Sequence, residues 1–176
     1  MTRRWPLLQR MHQRDPRDAA VRQRLRYTHR ARAEVLDELK RPAEALPDWD
    51  RAVELSPPAL RPLTQLGRAG SRARAGKAAE AVADVEALTK GPKTSGNMLY
   101  QAACVYSLAA AAVKEDRQRE TYAGQAVALL RRARGAGYFK GRKTVEQVKQ
   151  DPDLAALRPR EDFRKLVAEL EAAAKP

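Results

Sequence analysis

The chain has 176 residues and a formal net charge of +13, and it is 43% hydrophobic but only 5% aromatic. This length suits one domain that buries about 70% of the surface of its unfolded chain. No run approaches the ~20 apolar residues of a membrane span, and the N-terminus lacks the apolar core of a signal peptide, so we expect a cytoplasmic protein that does not contact membranes.

Prolines and glycines divide the chain into helical segments. Breaks are predicted at Asp15-Pro16, Ser56-Pro57-Pro58, Gly91-Pro92 and Gly135-Ala136-Gly137. Asp151-Pro152 and Arg158-Pro159 then separate a short helix near residues 144–150 from a last helix near residues 161–173. No stretch alternates β-branched or aromatic residues with polar ones, which predicts an all-α protein without strands.

The helical segments form pairs in which small and bulky residues alternate where two helices must touch. The clearest pair is Leu99-x-x-Ala102-Ala103-x-x-Tyr106 followed by Ala126-x-x-x-Leu130-x-x-Ala133. An earlier pair is Leu66-x-x-Ala69-Gly70-x-x-Ala73 followed by Ala81-x-x-x-Val85-x-x-Leu88, with Gly76 between the helices. The first pair is clear only in its second helix, Ala45-x-x-x-Trp49-x-x-Ala52, and Leu8-x-x-Met11 before Pro16 is typical of a truncated copy.

The spacing of these small residues supports a repeat. Ala33 and Gly70 are 37 residues apart, and Gly70 and Ala103 are 33 apart, close to the 34-residue period of tetratricopeptide repeats. In the second helices Ala81 and Ala126 are 45 residues apart, so about 11 residues are inserted in the third pair. The alanine-rich run 108–113 indicates that its first helix is extended.

On these motifs the chain resembles tetratricopeptide repeat proteins, which implies an all-α solenoid of about three helix pairs. The repeats are placed at about 1–16 (truncated), 17–57, 58–91 and 94–137, followed by C-terminal capping helices over 138–176. In the last helix Phe163, Leu166, Val167 and Leu170 share one face, as a terminal cap requires. We also expect Trp49 to lie in the core between the first and second pairs.

Within roughly residues 14–173, the chain further resembles the C-terminal repeat region of large bacterial serine/threonine protein kinases. The motifs are Arg32-Ala33-Glu34-x-Leu36-Asp37, Ala43-Glu44-Ala45-Leu46-x-Asp48-Trp49-Asp50-Arg51-Ala52, Ala103-Cys104-Val105-Tyr106, Ala136-Gly137-Tyr138-Phe139-Lys140 and Asp151-Pro152-Asp153-Leu154-x-x-Leu157-Arg158. The sequence contains no glycine-rich nucleotide loop, His-Arg-Asp loop or Asp-Phe-Gly triplet. We therefore expect a non-catalytic scaffold. A fragment of a kinase whose catalytic part lies elsewhere is a further alternative.

Other candidate chemistry has a plainer interpretation. The stretch from Gly135 to Thr144 has some features of a phosphate-binding loop, but Arg142 interrupts its Gly-Lys step and the loop follows a helix instead of a strand. Cys104 lies in an apolar run, which predicts that it is a small buried core residue. One cysteine and two histidines cannot form a conventional structural zinc site. We expect no catalytic residue, metal or cofactor.

Positive charge is concentrated at the N-terminus. Residues 1–32 contain ten arginines and two aspartates, and Arg22, Arg26 and Arg30 recur at four-residue spacing as a stripe on the first long helix. The stripe is either a solvated helix face or a binding face for an acidic protein or peptide. Nucleic acid is the alternative partner, although aromatic residues are scarce among the arginines and no reading module is recognised.

Two further residues are candidates for contact with a partner. Glu34 lies where the peptide-carboxylate clamp of some tetratricopeptide domains has an asparagine, so we do not expect that clamp here. If the arginine stripe is only solvated, the partner surface is expected on the inner helices around Tyr100.

Overall fold

The computed structural model describes residues 5–91, 94–140 and 142–173, which are all-helical with no strand. The helices are α1 (Trp5–Arg14), α2 (Ala19–Glu38), α3 (Pro42–Leu55), α4 (Arg61–Arg74), α5 (Ala78–Thr89), α6 (Gly96–Ala112), α7 (Asp116–Gly135), α8 (Arg142–Gln150), a 3-10 segment (Pro152–Leu157) and α9 (Glu161–Ala173). The predicted breaks fall between helices. The turn predicted at Gly91-Pro92 lies partly outside the described residues.

Local chemistry sets where these helices begin and end. The Asp18 carboxylate accepts hydrogen bonds from the backbone N–H groups of Ala20 and Val21, at 2.9 and 3.0 Å, and so caps α2. A glycine with φ of +80°, Gly76, follows α4 and turns the chain into α5. Gly137, with φ of +77°, does the same after α7. The positive φ of these two glycines explains why their positions predicted the ends of α4 and α7.

Helices α2 to α7 form three successive hairpins. Each pair is joined by only a few residues, which makes its two helices antiparallel neighbours. Helix α4 packs against α3 on one side and against α5 and α6 on the other, so the first helices of the second and third hairpins lie side by side. The 3-10 segment packs on α6. The middle helix α4 is therefore the element that joins the two halves.

Small residues allow the helices to approach closely. Most of the alanines predicted at helix contacts are completely buried, among them Ala33, Ala45, Ala69, Ala103 and Ala126. A large core extends from α4 to α9, whereas the N-terminal half has two smaller clusters, one around Leu25 and one around Trp49. Because alanine buries little area, stability has to be summed over many neighbouring helix contacts.

The third hairpin differs from the sequence-based prediction. We expected the insertion to extend the first helix, and α6 is longer than α4, with 17 residues against 14, but α7 is lengthened more, with 20 residues against 12 in α5. The extra residues thus lengthen both helices. The 3-10 segment was not predicted as an element, because Pro152 was interpreted only as a break.

Candidate functional site: a groove between α2, α4 and α6

A groove with a volume of about 660 Å³ opens between the first helices of the three hairpins. Helix α4 contributes small residues to it, including Gly67, Gly70 and Ala73. Its two sides come from the second half of α2 and from the second half of α6, and Pro152 and Asp153 of the 3-10 segment close one end. The groove is thus built from elements more than 100 residues apart in the chain.

No residue larger than glycine fits at position 67, because Trp49 occupies the space beside it. A Cβ atom placed on Gly67 would lie 2.4 Å from the Cη2 atom of Trp49, a distance that real Cβ atoms do not show. Trp49 itself is 5% exposed. The prediction that Trp49 is a core residue is confirmed, and its indole packs directly on α4 of the second hairpin.

A buried carboxylate fixes α2 relative to its neighbours. Asp37 accepts hydrogen bonds from Nε1–H of Trp49 at 2.9 Å and from the Ser71 hydroxyl at 2.8 Å. Ser71 also lies 3.2 Å from the carbonyl oxygen of Pro42, at the start of α3. These contacts connect α2, α3 and α4 beside the groove. They hold the three helices in one arrangement because the three side chains are buried and hydrogen-bonded to one another.

A second buried polar cluster joins α2 to α3. Asp48 is 1% exposed and lies 2.8 Å from Nδ1 of His29 and 2.5 Å from Nε of Arg32. Burial lowers the pKa of His29, which the neighbouring Asp48 carboxylate only partly opposes. The imidazole is therefore favoured in its neutral form, with Nδ1–H donating to Asp48. This cluster supports the first hairpin and does not line the groove.

The predicted arginine stripe is not a common exposed face. Arg26 is only 3% exposed, Arg22 is half-buried, and Arg30 is exposed but bonded through Nε to Glu34 at 2.7 Å. Residues four apart on a helix are rotated by about 40° around its axis. The three arginines therefore do not share one face: Arg26 lies on the buried side next to Leu25, whereas Arg30 lies on the side exposed to solvent. The Arg26 guanidinium lies over the ring of Tyr27, 4.3 Å from its centroid.

Arg26 and Arg30 are accordingly expected to respond differently to substitution. Arg26→Ala should destabilise the fold by roughly 1–3 kcal/mol, because a buried side-chain stem loses its packing. Arg30→Ala should change stability by less than ~0.5 kcal/mol, because its ion pair with Glu34 is exposed. Urea unfolding of the two variants checks this, and equal losses of stability would contradict the burial of Arg26.

Tyr100 is a core residue and not part of an exposed partner surface. It is 1% exposed, its hydroxyl donates to Asp151 at 2.5 Å, and its ring stacks on Tyr138 with centroids 5.0 Å apart. Burial is the main cause of its raised pKa, and Asp151 adds to it. Tyr100 thus attaches the C-terminal segment to α6. This contact could not be predicted from the sequence, because residues 100 and 151 become neighbours only when the 3-10 segment packs on α6.

Cys104 lies next to this contact and is buried, as predicted. Its pKa is raised, mainly by burial and also by Asp151. The thiol therefore stays protonated and is not an activated nucleophile. The candidate phosphate loop ends in residues 141–144, whose side chains lie outside the described part, while Phe139 before them is buried in the core.

The N-terminal arginines form a second candidate surface, separate from the groove. In the part of the chain that the structure describes, five arginines of α1, the following turn and the start of α2 have no carboxylate within ion-pair distance: Arg10, Arg14, Arg17, Arg22 and Arg24. No group of three or more potential metal ligands occurs among the described residues. None of the described helices combines the length and apolarity needed to cross a bilayer.

Of the five candidate partner-binding residues, only Glu34 lies at the groove. Arg22, Arg26 and Arg30 do not line it, and Tyr100 is covered by the C-terminal segment. Sequence reasoning missed Glu38, Gly67, Leu108 and Ala111. Gly67 could have been recognised as a close-contact position, because it lies about one helical turn before Gly70, a small residue of the predicted repeat. Comparison with known proteins found no matching family model, no matching curated protein and no matching solved structure.

Proposed function

We propose that this chain is a tetratricopeptide-type interaction module that binds a segment of a partner protein in the groove between α2, α4 and α6. The observation that carries the proposal is the groove itself, a concave site of about 660 Å³ lined by residues of all three hairpins. The recurrence of small residues near a 34-residue period supports the repeat assignment. In this role the protein would act as a cytoplasmic scaffold related to the repeat regions of bacterial serine/threonine kinases.

The test compares two tryptophan variants in capture experiments from a lysate of the source cell. Ala111→Trp places a bulky side chain on an exposed position that lines the groove, whereas Ala128→Trp places it on an exposed position of α7 outside the groove. A groove ligand should be captured by the wild type and by Ala128→Trp but lost with Ala111→Trp. Equal capture by all three proteins would contradict the proposed site.

The N-terminal arginines favour a second candidate function, association with nucleic acid. Five arginines without carboxylate partners provide positive charge for phosphate contacts. For binding of this kind, log Kd should rise linearly with the logarithm of the salt concentration. Replacement of Arg10, Arg14 and Arg17 by glutamine should reduce the slope of this line by about one for each lost phosphate contact. Duplex DNA and single-stranded RNA are the probes. A salt-independent signal would reject this function.

The scaffold proposal also predicts no catalytic turnover. The purified chain should neither hydrolyse ATP nor phosphorylate a generic protein substrate above the background of a mock purification, because the sequence contains none of the kinase motifs. A coupled ATPase assay and transfer of labelled phosphate check this. Activity that disappears with Lys143→Ala would contradict the expectation and assign a role to the stretch from Gly135 to Thr144.

A further inference from the structure

The groove has the opposite charge balance to the rest of the molecule. Four carboxylates line it, those of Glu34, Asp37, Glu38 and Asp153, but only two cations, Lys40 and Arg74. The whole chain carries a net charge of +13. A concave site lined mainly by one sign of charge attracts ligands of the other sign.

The contacts of these groups show which of them a ligand can reach. Arg74 and Asp153 bind each other at 2.6 Å across the closed end of the groove. Asp37 is buried and already accepts hydrogen bonds from Trp49 and Ser71. This leaves the carboxylates on the α2 wall, Glu34 and Glu38, for interaction with a ligand.

Neither of these glutamates is strongly neutralised within the molecule. Glu34 pairs with Arg30 in an exposed i,i+4 contact, a kind of pair that contributes little and is easily exchanged. Glu38 is exposed, and no cation of the described residues lies within ion-pair distance of it. Lys40 also lines the groove, at the turn after α2, where its φ is +60°. This wall therefore carries two carboxylates and only one lysine, so its net charge is negative.

The opposite wall is mostly apolar, with Gln101 of α6 as its polar side chain. Leu108, Ala111 and Ala112 of α6 line it, and Pro152 lies at its end. Between the two walls, Gly67 and Gly70 of α4 line the groove and have no side chain that would fill it. A ligand with polar groups on one side and small apolar groups on the other fits this cross-section.

The dimensions favour an extended peptide. The lining residues of α4 run from Leu66 to Arg74, which at 1.5 Å per residue is about 12 Å, the span of about four extended residues. Glu34 and Glu38 are one helical turn apart, about 6 Å along the axis. In an extended chain, side chains at positions i and i+2 point to the same side and are separated by about 6.6 Å. The spacing of the two glutamates along α2 is therefore close to the spacing of alternate side chains in an extended peptide.

We propose that the groove binds an extended segment of a partner protein that carries arginine or lysine at positions i and i+2, facing Glu34 and Glu38, with a small apolar residue between them facing α6. This inference rests on the proposed function and adds the chemistry of the partner. The segment is cationic, so it differs from the acidic partner that the N-terminal arginines led us to expect.

The experiment is selection of random heptapeptides displayed on phage against the full chain. The enriched peptides should contain two arginines or lysines at positions i and i+2 separated by a small residue. Synthetic copies should lose at least tenfold in affinity with Glu34→Gln/Glu38→Gln, and should bind more weakly as salt rises. The matched control Glu115→Gln/Glu161→Gln removes two exposed carboxylates outside the groove and should stay within twofold of the wild type.

The outcomes separate the two proposals. If enriched peptides lose binding with Ala111→Trp but are acidic or uncharged, the cationic partner is refuted and the groove function stands. If cationic peptides bind but ignore Glu34→Gln/Glu38→Gln, the assigned carboxylates are wrong. If no peptide is enriched, or if Ala111→Trp binds every peptide as the wild type does, both proposals are refuted.

Discussion

Replacement of Trp49 by alanine is expected to lower the free energy of unfolding by about 3–5 kcal/mol. The indole is 5% exposed, covers Gly67 of α4, and donates a hydrogen bond to the buried Asp37. Its removal leaves a cavity between the first two hairpins and one carboxylate with a missing donor. In a domain of this size, the melting temperature should fall by roughly 10 °C.

The control for this variant is Val35→Ala, which shortens an apolar side chain that is 51% exposed. A surface substitution of this kind should change stability by less than ~0.5 kcal/mol. Thermal unfolding followed by circular dichroism measures both variants. An unchanged melting temperature for Trp49→Ala would mean that the first and second hairpins do not pack as the structure has them.

Replacement of Asp37 by alanine is expected to cost about 2–4 kcal/mol, because it leaves the buried indole N–H of Trp49 without an acceptor and removes the shorter of the two hydrogen bonds available to the Ser71 hydroxyl. Asp37→Asn keeps one acceptor oxygen and should cost less. Glu38→Ala, the exposed neighbour, should be near neutral. Urea unfolding of the three variants gives the order, and a neutral Asp37→Ala would show that these hydrogen bonds do not hold α2 against α4.

The helices were predictable because local chemistry encodes them. The last helix spans Glu161–Ala173, as its apolar face predicted, and Gly76 and Gly137 end their helices with positive φ. Alanines at the helix contacts are buried for the same reason: they recur at helical spacing and permit close packing. These features depend on neighbours within a few residues or on one repeat period.

The groove could be predicted only in part because its walls come from distant segments. Glu34 was selected from its place in the first helix, but its pairing with Glu38 as one wall depends on how α2 faces α4. Arg26 carries a charge that the sequence places on a surface, yet the position of its helix against its neighbours buries it. Tyr100 is covered by Asp151, and a contact over 51 residues leaves no local pattern.

Hydrogen–deuterium exchange on the full chain, with and without the bound partner or a selected peptide, tests the central claim that the groove is the binding site. Added protection is expected for the amides in the second halves of α2 and α6 and along α4, with little change in α1, α7 and α9. Protection confined to α1 and the start of α2, where the unpaired arginines lie, would contradict it.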